Sequence, residues 1–190
     1  MRRTLLLLLC GGLCLTACKK AEEGRRSFCT VDVKIDYPEY TEGNLKDADG
    51  KVLDTLTVVN GKLTFQRTDS AAMPYVALIH LRNVQDSVDW LDMPVVIEGG
   101  KVQVSIGEYI LTSGTPLNAH LQDFLNGLQA VKTGFREDAA ASVGEVRQGY
   151  SSFYKQQILS NRNNAVGDYI YKAYGTHLLP EDRETVENSF

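Results

Sequence analysis

Between Phe28 and Thr112 apolar and polar positions alternate with a period near two, the signature of half-buried strands. Cys29, Val31, Val33 and Ile35 fall on one side of the first segment, and Thr30, Asp32 and Lys34 on the other. Val102, Val104 and Ile106 share a face in the same way. Tyr75 to Leu81 is apolar on both faces except at His80, which predicts a central strand. Asn60-Gly61, between Leu56–Val59 and Lys62–Phe65, predicts a hairpin, because both residues tolerate the positive φ of a type I′ turn. Gly99-Gly100 is expected to join Val95–Glu98 to Lys101–Ile106 likewise, and Asp49-Gly50 marks a further turn. With a short strand near Tyr109, about six to eight strands are expected, in a sandwich or a strongly curved sheet.

At Ser113-Gly114-Thr115-Pro116 the period changes to 3.6. Thr115 is placed to cap a helix and Pro116 to open it. Leu117, Leu121, Phe124, Leu125 and Leu128 then form one buried stripe. A second helix is predicted over roughly Ala139 to Leu159, with Val143, Val146, Tyr150, Tyr154 and Ile158 as its apolar side. A third, about Ala165 to Tyr174, presents Val166, Tyr169, Ile170 and Ala173, and Gly175 is expected to end it as a C′ glycine. Pro180 and the acidic residues after it read as the first turn of a fourth helix that the chain does not complete. The fold class expected is α+β: an antiparallel β-sandwich-like half over residues 27–113, then a helical segment over 114–190 that stops short of a downstream domain.

The N-terminus follows another logic. Arg2 and Arg3 precede an apolar run that begins at Leu5–Leu9 and reaches Ala17, well short of the ~20 apolar residues that span a bilayer. Residues 1–17 therefore read as an export signal. The run ends in Leu15-Thr16-Ala17-Cys18, which resembles the lipobox of bacterial lipoproteins. That resemblance implies cleavage before Cys18, lipidation of its thiol, and a membrane partner through the acyl chains. Residues 18–26 then form a charged, lipidated tether. Lys19, Lys20, Glu22 and Glu23 look like the surface-export signal of Bacteroidetes lipoproteins. The localisation expected is the cell envelope, with the lipid in the outer membrane and the protein on its periplasmic or surface side.

Charge and cysteine usage narrow the chemistry. Loss of residues 1–17, with two arginines and no acid, takes the formal charge from −4 to −6. An acidic chain gains nothing from counterion release, which argues against nucleic acid as a partner. Once Cys10 and Cys14 leave with the signal and Cys18 is acylated, only Cys29 is free. No intramolecular disulfide is then available, and the alternation makes Cys29 a small buried hydrophobe. Asp47, Asp49 and Gly50 mimic part of a calcium loop, but Leu45 and Leu56 occupy its first and twelfth positions, so a plain turn is expected. Asp86, Asp89 and Asp92 around Trp90 read as a solvated loop with one packed aromatic. His80, His120 and His177 lack metal-ligand spacing. The tyrosines at 150, 154, 169, 171 and 174 read as core before they read as a ligand groove. No nucleophile elbow, Walker loop or dinucleotide fingerprint occurs, so no catalytic residue, metal or cofactor is expected.

Three runs point to a family: Asp54-Thr55 with Asn60-Gly61-Lys62-Leu63-Thr64-Phe65, Val96-Ile97-Glu98-Gly99-Gly100, and Ser113-Gly114-Thr115-Pro116-Leu117-Asn118. They resemble motifs of a Bacteroidetes lipoprotein domain of unknown function that usually stands N-terminal to a thioredoxin-like domain of the thiol-disulfide interchange (AhpC/TSA) type. The resemblance spans about Phe28 to Leu179 and consists of turn and cap chemistry, so it speaks for fold and not for activity. The redox Cys-X-X-Cys of that downstream domain is absent here. The function expected is an envelope-anchored, non-catalytic binding or interaction module, its ligand unknown and an envelope protein its candidate partner. The alternative is the N-terminal fragment of a thiol-disulfide oxidoreductase that lacks its thioredoxin-like domain.

Overall fold

A computed structural model of the chain describes residues 28–68, 74–86 and 88–189. Its N-terminal half holds eight strands: β1 (Cys29–Ile35), β2 (Tyr40–Lys46), β3 (Val52–Thr57), β4 (Lys62–Arg67), β5 (Tyr75–Asn83), β6 (Trp90–Ile97), β7 (Gly100–Ile106) and β8 (Ile110–Ser113). They make two four-stranded sheets, ordered β4-β1-β7-β8 and β3-β2-β5-β6. All pairs are antiparallel except β1 with β7, which run parallel over the full length of β1. The inward residues of both sheets close one core, from Val31, Val33 and Phe65 in the first sheet to Leu45, Ile79, Leu81 and Val95 in the second. The fold is thus α+β, with a sandwich followed by four helices.

Two turns that predicted hairpins do something else. Asn60 and Gly61 do adopt positive φ, 52° and 68°. The turn closes only one bridge, Val59 with Lys62, after which β3 and β4 diverge into opposite sheets. Gly99-Gly100 likewise separates β6 of one sheet from β7 of the other. Asn60-Gly61 fits the expected backbone and Gly100 alone of the glycine pair has positive φ, at 126°, but both turns are corners of the sandwich. The Asp49-Gly50 turn is a true hairpin, β2 to β3. Trp90 opens β6 opposite Arg82 and is 55% exposed, so it is neither in a loop nor packed.

The helices α1 (Pro116–Glu137), α2 (Val143–Ser160), α3 (Ala165–Tyr174) and α4 (Pro180–Glu187) follow, with a short 3-10 turn at Gly175–His177. Val76 and Val96 point away from the sandwich core and pack with Leu121, Phe124, Ile158 and Ile170. The helices therefore cover part of the outer face of the second sheet, which explains why β5 is apolar on both sides. α2 starts later than expected because Ser142 and Glu145 form a reciprocal capping box. Val143, just inside it, is 77% exposed, and Ala173 is exposed as well. Gly175 does not end α3 in the left-handed region: its φ is −58°, and the chain tightens into the 3-10 turn with Gly175 under the Tyr171 ring. α4 is a finished helix, with Asp182 and Val186 buried and Asn188 capping it.

Candidate functional site

Two of the three runs that carry the family resemblance, Val96–Gly100 and Ser113–Asn118, meet in space. Glu98, at the end of β6, accepts hydrogen bonds from the backbone N–H groups of Leu117 and Asn118, at 2.8 and 3.2 Å. It caps α1 in place of Thr115, which stands at the N-cap but makes no side-chain cap bond. A carboxylate at a helix N-terminus satisfies orphan donors and suits the helix dipole. Gly114, at φ 103°, lies so close to the Lys101 carbonyl that a Cβ would sit 2.2 Å from it. Asn118 is fully buried: its Oδ1 accepts from the Val96 N–H and the Thr112 hydroxyl, and its Nδ2 donates to the Val96 carbonyl and to Thr115 Oγ1. One turn further along α1, Gln122 accepts from the Thr112 N–H and donates to the Ile110 carbonyl. Two side-chain amides of one helix thus occupy the open edges of both sheets, β6 and β8. This is a structural joint, with no group left over for chemistry.

The other residues singled out in the sequence are also accounted for. Cys29 is fully buried, and burial pushes its thiol above the usual range. Asp47 Oδ1 accepts from the N–H groups of Asp49 and Lys51, which makes the acidic stretch a self-bonded turn. Asp89 accepts from the Tyr40 hydroxyl at 2.8 Å and from Asn83 at 2.9 Å. Those two bonds hold its carboxyl below the usual range, and the same contact pushes the Tyr40 phenol up to about 12. Asp92 faces His80 Nδ1 at 2.7 Å, while Asp86 accepts from the Val88 N–H. His120 meets Asn161 at 3.1 Å and His177 lies by the Tyr154 ring, so the three histidines stay apart. Among the described residues no three His, Cys, Asp or Glu side chains come together as a metal site.

One polar cluster gave no signal in the sequence. Ser151 on α2 is fully buried, donates to Asp182 at 2.5 Å and accepts from the Leu179 N–H at 2.8 Å. Lys155 reaches the other oxygen of Asp182 at 2.6 Å. Lys155, then Ser151, hold the Asp182 carboxyl below its ordinary value. A serine, a lysine and an aspartate in contact suggest nucleophilic chemistry by type. With its hydroxyl sealed between α2 and α4, this serine has no approach for a substrate, and the trio locks α4 to α2.

A cleft of about 710 Å³ lies where the sandwich meets α3. Asp49 and Leu53 of the β2–β3 hairpin, Arg67 and Tyr75 at the ends of β4 and β5, and Asp168, Tyr169 and Lys172 of α3 line it. An ion pair between Lys172 and Asp49 joins helix to hairpin across it. Tyr169 forms a half-buried wall, its phenol pushed far up by burial and by Tyr174. β1 starts at this end, because Cys29 is in register with Arg67, a cleft residue. The tyrosines divide between roles: Tyr154 is core and stacks on Tyr174 at 4.8 Å, while Tyr169 and Tyr174 meet edge to face. Cys18, the one residue to which the sequence assigned a role, lies outside the described residues, as do the rest of the leader and the tether. Among the described residues no helix is long and apolar enough to cross a membrane.

Comparison with known proteins gave no family model, no curated protein and no solved structure that matches this chain.

Proposed function

We propose that the chain is an envelope lipoprotein, anchored through Cys18, whose folded part is a non-catalytic binding module. The anchor rests on the leader and lipobox pattern in the sequence. The binding role rests on one observation: a cleft of about 710 Å³, within the size range of ligand sites, with an aromatic and aliphatic wall and a charged rim. The polar clusters that resemble catalytic groups are consumed in holding the fold, which favours binding over turnover. The chain enters β1 at the cleft end, so a lipid on Cys18 holds that end toward the membrane, within about 35 Å at full extension of the tether.

Three measurements test this reading. Radiolabelled palmitate is expected in the wild type and absent from Cys18→Ala; equal labelling of both ends the lipoprotein reading. Ala48→Trp places a bulky ring at an exposed turn position on the cleft lining without touching the core. Envelope material captured on residues 19–190 is expected to be lost with Ala48→Trp. Identical captures, or measurable turnover of either protein in an insulin-reduction assay, overturn the binding-module reading.

A further inference from the structure

We propose that a second pocket, framed by α1, α2 and the 3-10 turn, binds a single anionic group carried on an aromatic or short apolar body. The pocket holds about 360 Å³ and is separate from the cleft at α3. Arg147, Tyr150 and Tyr154 recur at helical spacing on one side of α2 and all line it. Its floor is preformed: Tyr154 is buried and stacks on Tyr150 at 5.9 Å and on Tyr174 at 4.8 Å. Leu178 is buried beside them.

Two cations stand at the rim. Lys132 from α1 and Arg147 from α2 are exposed, His177 of the 3-10 turn lies beside them, and no acidic residue lines the pocket among the described residues. Lys132 and Arg147 make no ion pair among the described residues. The chain as a whole carries 24 acidic residues against 20 basic ones, so an acid-free cationic rim runs against the average. A guanidinium fork and an ammonium beside aromatic faces recognise a carboxylate, sulfonate or phosphate on a ring-sized body. The volume admits one or two rings or a short chain, and excludes a full acyl chain.

The test uses residues 19–190, which retain every described residue, with 8-anilinonaphthalene-1-sulfonate as the anionic probe and N-phenyl-1-naphthylamine as its neutral counterpart. The anionic dye is expected to bind at one site, and Lys132→Gln/Arg147→Gln to weaken it by about tenfold or more, with little change for the neutral dye. Both positions are exposed, so an unchanged thermal melt is expected to show the fold intact. Equal binding of the two dyes to the wild type, or an unchanged anionic affinity in the double variant, overturns the proposal. Once dye binding depends on these cations, co-sedimentation with phosphatidylcholine vesicles, with and without phosphatidylglycerol, identifies the source of the anion. Sedimentation with the anionic vesicles alone, lost in the double variant, assigns it to a lipid headgroup; no sedimentation assigns it to a free acid. Neither Lys132 nor Arg147 lines the α3 cleft, so failure here leaves the cleft reading standing, and failure of Ala48→Trp leaves this one standing.

Discussion

Asn118 shows how much of a fold can rest on one amide. All of its hydrogen-bonding groups are used, and the Val96 N–H and carbonyl have no alternative partner at a buried sheet edge. Asn118→Ala is expected to destabilise the protein by about 3 kcal/mol, read from the urea midpoint, because several buried polar groups lose their partner at once. A loss below that of an ordinary surface substitution would mean that water replaces the amide. The sequence offered no hint of this role: a polar residue beside an apolar stripe reads as solvent-facing, and only the tertiary approach of β6 and β8 makes it a hub. Cys29 is the opposite case, since strict alternation in β1 placed it inward. Its raised thiol and complete burial predict that in residues 19–190, where it is the one cysteine, it does not react with 5,5′-dithiobis(2-nitrobenzoate) in the folded state and reacts fully in denaturant. Rapid labelling under native conditions would contradict the placement of β1.

Among the elements, the helices show which signals outweigh others. The alanines before Ser142 favour helix by propensity, but the Ser142–Glu145 box fixes the start of α2 after them. Asn60-Gly61 adopts the backbone that a type I′ turn demands and still misplaces its strands, because a turn type does not say whether its two arms share a sheet. α4 depends on the Asp182 contacts with Lys155 and Ser151, residues whose distance in sequence hides the connection. The folded carboxyl titrates below its ordinary value of 3.8, so its contribution is complete above that value and is lost as pH falls through the folded one. Asp182→Asn is expected to cost about 2 kcal/mol at neutral pH and to flatten the decline of stability in the acid range. Parallel acid-unfolding curves for the two proteins would show that the carboxylate contributes no linkage.

At the scale of the molecule, the two halves were legible from the change of period near Ser113, and the central place of β5 from its apolar faces. That the predicted helices lie on the second sheet could be anticipated only through Val76 and Val96, whose outward apolar side chains need a cover. The cleft was not legible, because its walls come from segments around residues 47–53, 67–76 and 165–172 that nothing in local pattern connects. The parallel union of β1 and β7 has a kinetic consequence. β1 leads the described chain, yet its two neighbours in the sheet are β4 and β7, and the second lies beyond most of the sandwich in sequence. Closing so large a loop costs entropy before it returns any contact, so the first strand waits for the seventh. Until then the β7-facing side of β1 leaves a row of backbone N–H and C=O groups unpaired, an edge on which another chain could add a strand.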